Sequence, residues 1–364
     1  MSCQDGQSTG AVRNARVMDS GEAVIGIVYP REKTGESFAN GALLAVDEIN
    51  ARGGIMGKKL ALEIMDDRGD PRVSVEMAKK IAKDMDIIAV IGHLSSDAAI
   101  ASSLAYHIND MLFMAPQAAS PYLTMHKFET VFRTISSDRL VAAKALEYMK
   151  NKGLTKLIIA NEQSRYGVDL SHLMIAHSKE FGITVVSQKN YFNADTDFRR
   201  GLIGMQDMDF DAVFIAGGFP AGAILIRQIR EMGFNQPIFT GGALNSPKLM
   251  EIAGKAAEGV VSASHFSMSD PIPEMAAFVA KYRARFKEEP EQNSARSYEA
   301  VSLLAQSLEK SKSFNPVVVA STFKVYKQWR GLTGLYDFTR YGDVTGHKLY
   351  LETVKNGKFE LLID

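Results

Sequence analysis

From Ala23 onward, short apolar runs alternate with segments of helical periodicity, and no other feature limits the fold as strongly. Residues 23–28 form an apolar run. Phe38, Ala42, Ala45, Val46 and Ile49 follow at helical spacing, and Gly53-Gly54 closes that helix. Leu60, Leu62 and Ile64 alternate with polar or small residues as in a strand. Asp70-Pro71 then supplies an N-cap and a first-turn proline, with Val73, Met77 and Ile81 as the expected buried stripe. Residues 87–92 and 112–115 read as the next two strands. Strand–helix–strand order repeated in this way predicts a parallel sheet with helices on both faces.

The pattern restarts after residues 132–135, with helices expected over 138–151, 167–181 and 221–232. Strands are expected over 156–160, 183–187, 212–216, 237–240 and 257–264. Helices over 273–286 and 294–311 follow, then a shorter one opening at Asn315-Pro316. The end changes character: 346–354 and 358–362 alternate around Asn356-Gly357, a hairpin signal. A chain of 364 residues exceeds one ordinary core, so two α/β units in tandem fit better than one sheet.

The stretch from Ile87 to Tyr106 carries the chemistry. Its β-branched run ends at Gly92, and His93-Leu94-Ser95-Ser96-Asp97 leads into an alanine-rich helix. A strand that hands a serine pair to a helix start leaves backbone N–H groups beside hydroxyls. Both the N–H groups and the helix dipole favour an anion such as a carboxylate. The plainer alternative is that Ser96 or Asp97 simply caps its own helix.

Composition narrows the function classes. Lys+Arg and Asp+Glu both number 42, so nothing favours nucleic acid as a partner. No run approaches the ~18 apolar residues of a membrane span. P-loop, zinc-ligand spacing, nucleophile elbow and GxGxxG are all missing, and the seven histidines are scattered, which argues against an enzyme and for binding without cofactor or metal. The seventeen methionines fall mostly at apolar helix positions and read as core filling. Residues 1–21 are polar and small, and read as a disordered leader. A single cysteine, Cys3, excludes an intrachain disulfide; its place before such a leader looks like the start of a mature bacterial lipoprotein, with a chance cysteine in a tail as the alternative.

Several stretches together resemble the type I periplasmic binding protein fold, in particular the leucine/isoleucine/valine-binding protein family of ABC transporters. They are Gly41-Ala42 with residues 45–55, Asp66-Asp67, Asp70-Pro71, Val90-Ile91-Gly92-His93, Phe132-Arg133-Thr134 and Tyr166-Gly167. Ile252-Ala253-Gly254, Ala256-Ala257-Glu258-Gly259, Tyr298-Glu299-Ala300-Val301 and Gly331-Leu332-Thr333-Gly334 complete the set. The resemblance implies an α/β fold of two doubly wound parallel-sheet lobes joined by a three-crossing hinge. The expected lobes are residues 22–137 with 265–329, and 138–264 with 330–364. It also implies an extracytoplasmic location, periplasmic or on the outer face of the membrane, a transporter permease as partner and a small carboxylate as ligand, held in the cleft between lobes. The same fold also serves as a ligand-sensing module of membrane receptors.

By that resemblance, Ser95 and Ser96 with Ala118 and Ala119 would hold the carboxylate, and Tyr166, Phe219, Gly242 and His265 would close over the remainder. The chain departs from the family where an α-amino group is held. The threonine position reads Ala119, the acidic position falls in Thr240-Gly241-Gly242-Ala243, and the tyrosine near Phe219 has lost its hydroxyl. A buried ammonium without a carboxylate would cost several kcal/mol. Either another acid substitutes, with Asp97, Asp138 and Glu162 as candidates, or the ligand has no amine.

Overall fold

A computed structural model describes residues 8–268 and 270–362, and the chain divides into two compact units. The first comprises residues 1–136 and 271–348, the second 137–270 and 349–364. The strands in chain order are β1 (Glu22–Val28), β2 (Lys59–Met65), β3 (Ile87–Gly92), β4 (Leu112–Ala115), β5 (Val131–Arg133), β6 (Lys156–Glu162), β7 (Thr184–Tyr191) and β8 (Ala212–Ala216). They continue with β9 (Ile238–Thr240), β10 (Val261–Ser264), β11 (Trp329–Gly331), β12 (Gly334–Phe338), β13 (Val344–Thr345), β14 (Tyr350–Lys355) and β15 (Lys358–Leu361).

The first unit is built on the all-parallel sheet β2-β1-β3-β4-β5. β3 is buried along its whole length, which explains its unbroken apolar sequence. Alternate residues feed two cores. Ile25, Ile27 and Ile91 pack with Phe38, Ile49 and Leu304, while Val28, Val90 and Phe113 pack with Tyr106 and Leu123. In the helix Pro71–Ile81 the buried residues are Ser74, Ala78 and Ile81; Val73 and Met77 of the expected stripe are only half-buried. Small side chains face inward there because the helix Ser96–His107 packs closely against it.

The second unit holds the sheet β15-β14-β10-β9-β8-β6-β7. Strands β6 to β10 are parallel, whereas β14 and β15 add an antiparallel hairpin. The hairpin turn is Asn356-Gly357, with φ of 52° and 73°. Two successive positive φ values are what a type I′ turn demands and what Asn-Gly supplies.

Two expectations need correction. The first concerns the stretch ahead of β1, of which residues 1–7, and with them Cys3, lie outside the described residues. The remainder is no loose leader. Thr9–Ser20 is a helix capped by Ser8, and its Arg13 is fully buried. The Arg13 guanidinium donates to the carbonyls of Ala82 and Ile87, at 2.6 Å each, and of Asp84. Burial lowers its pKa to about 10. The sequence shows little apolar periodicity here because, besides Val17, polar side chains (Arg13, Thr9 and Asn14) do much of the anchoring.

The second correction concerns the crossings between units: residues 265–270 belong to the second unit rather than the first, and the last crossing falls after Lys348 rather than after Trp329. Residues 330–348 belong to the first unit. There β11, β12 and β13 form a small antiparallel sheet, with Trp329, Tyr336 and Phe338 in the core beside Phe132 and Phe323.

Candidate functional site

In the first unit the strand order reverses between β1 and β3, and ligands of doubly wound sheets sit beyond the carboxyl ends of the strands at that point. There β3 runs out at Gly92, with φ of 152°. A side chain on Gly92 would place its Cβ 2.0 Å from the Val28 carbonyl oxygen, so the two strand ends approach this closely only with glycine. The His93 N–H donates to the same carbonyl at 2.9 Å.

Ser95, not Ser96 or Asp97, caps the helix Ser96–His107; its Oγ accepts from the Ala98 N–H at 3.1 Å. Ser96 is thereby relieved of capping. It is 3% exposed, and its Oγ accepts from the Ser120 N–H at 3.3 Å. This contact brings the 95–96 corner together with the loop carrying Ala118 and Ala119. Among the described residues, the amides of Ser96 and Ala119 have no hydrogen-bond partner. Two unpaired N–H groups, a serine hydroxyl and a helix N-terminus can together receive one carboxylate.

Two buried supports hold this corner. Arg133 donates to the carbonyls of Ala118 at 3.0 Å and Ser120 at 2.7 Å, to Thr124 Oγ1 at 3.1 Å, and to Asp343 Oδ1 at 2.8 and 3.0 Å. His93 bridges Asp67 Oδ2 at 2.9 Å and the Tyr106 hydroxyl at 2.8 Å, all three being fully buried. Burial alone would raise the Asp67 pKa. The His93 hydrogen bond and charge, the Gly69 N–H and the Ser74 hydroxyl outweigh it and hold the carboxyl below its ordinary value. The Tyr106 hydroxyl is pushed well above its usual pKa by burial and by Asp67.

Neither support was assigned a role from sequence. The signal was available for Arg133, a lone cation in an apolar strand. For Asp67 and His93 it was not, because the contact spans 26 residues and requires the fold.

The second unit has its own reversal, between β6 and β8. Here Glu162 ends β6, and Gly217-Gly218 follow β8. Glu162 Oε2 accepts from the Gly218 N–H at 2.8 Å. Tyr166 lies in the first turn of the helix Arg165–Ser178, which Ser164 caps. Its hydroxyl stands against Gly241, where an added Cβ would lie 2.1 Å away. Gly242 opens the 3-10 turn Gly242–Leu244 beside it. Phe219 is half-buried against the unit's core, one residue past Gly218. His265 is buried just after β10. Tyr166 and Gly242 thus adjoin, and Phe219 shares the β8 end with Glu162's partner. Of the other candidate acids, Asp97 and Asp138 sit in the first turns of the helices Ser96–His107 and Asp138–Asn151.

Comparison with known proteins agrees with this architecture. A family model described as periplasmic binding protein matches residues 26–358. The chain belongs to the periplasmic binding protein family. It is 31% identical over 326 residues to the Leu/Ile/Val-binding protein BraC3 of Rhizobium johnstonii, covering 89% of this chain and 88% of that one. Among solved structures, an ABC transporter substrate-binding protein from Desulfitobacterium hafniense in complex with Leu is 31% identical, with a TM-score of 0.85 over 94% of this chain and all of that one (100%). A leucine-binding protein from Thermotoga maritima shares the fold at a TM-score of 0.87 and 24% identity, covering 94% and 98% of the two chains.

Proposed function

We propose that this chain is an extracytoplasmic solute-binding protein of an ABC transporter that captures a small carboxylate. The carboxylate is received by Ser95 and Ser96 with Ala118 and Ala119. Tyr166, Phe219, Gly242 and His265 are the further residues assigned to solute binding in this reading. The observation that carries this reading is the pair of unpartnered amides, Ser96 and Ala119, beside the Ser96 hydroxyl at the sheet's reversal point. The relatives' names support it: one is a Leu/Ile/Val-binding protein, another a substrate-binding protein solved with Leu.

The protein is read as a carrier rather than an enzyme, with a transporter permease as its partner. A lipid on Cys3 would tether it to the membrane. A thermal-shift screen of amino acids and amine-free aliphatic and aromatic acids tests the reading. A true ligand raises the melting temperature with the logarithm of its concentration above its Kd. A screen in which no carboxylate shifts the transition would refute it.

A further inference from the structure

The second unit contains a buried carboxylate that, among the described residues, is paired with no cation. Glu162 is 9% exposed at the end of β6, where the sheet order reverses. Its only hydrogen bond among the described residues is the one Oε2 accepts from Gly218, and no Lys, Arg or His there pairs with it. A charge buried to this degree is costly unless something compensates it.

A second, independent group lies beside it. The Tyr191 hydroxyl, in a residue only 4% exposed, has no hydrogen-bond partner among the described residues. It reaches the same corner: an added Cβ on Gly217 would lie 1.9 Å from the Tyr191 hydroxyl and 3.0 Å from Glu162 Cβ. Burial, then the charges of Glu162 and Tyr166, push this hydroxyl well above its usual pKa, so it stays a neutral donor and acceptor. Glycines at 217, 218 and 241 keep side chains off this corner.

We propose that Glu162 receives the ammonium group of the bound solute, with Tyr191 beside it, so that the solute carries an amine as well as a carboxylate. This rests on the solute-binding reading above and narrows it.

The test is titration of the full chain with amino acids, including L-leucine, L-phenylalanine and γ-aminobutyrate. Each is paired with its 2-oxo, 2-hydroxy or deaminated counterpart, and with isopentylamine and benzylamine as amines lacking a carboxylate. The amino acids should bind about ten- to a hundredfold more tightly than their amine-free counterparts, the span expected for one hydrogen bond to a charged group. Glu162→Gln should bring that ratio close to one, because Gln still accepts from the Gly218 N–H but carries no charge. A purely structural role for Glu162 would not move the ratio.

Equal binding of amino acids and their 2-oxo or 2-hydroxy counterparts overturns the inference and leaves the carboxylate reading standing. Simple amines binding as tightly as amino acids would overturn the carboxylate reading instead. Binding of no compound overturns both. A ratio that survives Glu162→Gln removes Glu162 from the subsite. The wild-type comparison needs no variant, so a misfolded mutant does not protect the inference.

Discussion

The Asp67 carboxylate stands 2.9 Å from His93 Nδ1, and neither side chain is exposed to solvent. Asp67 follows β2 and His93 follows β3, on either side of β1 in the sheet. The pair ties those two strand ends together, one residue after Gly92 and three before Ser96. It carries a pH dependence. The folded-state pKa of Asp67 lies below its ordinary 3.8, so its stabilisation is complete above that value and is lost as pH falls through the depressed folded value. Thermal melts of the wild type should lose stability more steeply below about pH 4 than melts of Asp67→Asn. Parallel pH profiles for the two proteins would refute the assignment.

Arg133 is the second fastener of the corner. Arg133→Ala would leave the buried Ala118 and Ser120 carbonyls without this donor and the half-exposed Asp343 without its cation, at a cost of about 1–3 kcal/mol for the unsatisfied acceptors. Arg133→Lys should recover little, since an ammonium cannot serve four acceptors spread along a planar fork. Denaturant midpoints of the three proteins measure this.

Ser96→Ala removes one hydroxyl from the proposed carboxylate site. Affinity for the solute should weaken by about 1.5–3 kcal/mol, the worth of one hydrogen bond to a charged group. Calorimetric titration with the acid giving the largest thermal shift would show it. An unchanged Kd would remove Ser96 from the site.

Arg13→Ala distinguishes a packed first helix from a loose leader. Three carbonyls, at Ala82, Asp84 and Ile87, would lose their donor, and the first unit should be destabilised by about 2–4 kcal/mol through unsatisfied buried acceptors. A melting temperature equal to that of the wild type would show that the helix contributes nothing to the fold.

Much of the architecture was legible because its signals are local. The unbroken apolar run at β3, the Asp70-Pro71 helix start and the Asn356-Gly357 hairpin each carry their own punctuation. The first helix was missed because its anchors are largely polar side chains, Arg13 above all, whose partners lie about seventy residues or more away. The end of the first unit was misplaced because β11 to β13 are only two to five residues long, and nothing in short antiparallel strands says which core they join. At the carboxylate corner, Ser95 and Ser96 were visible as a pair. Which of them caps the helix depended on backbone angles that two adjacent serines do not encode.

The buried Arg13 also sets a leash. The described residues begin at Ser8, which caps the first helix, and that helix is pinned to the start of β3. Only four residues separate Ser8 from Cys3. Fully extended, such a span reaches no more than about 18 Å. A lipid at Cys3 would therefore hold Ser8 within about 18 Å of its anchor, rather than letting the protein roam on a long stalk.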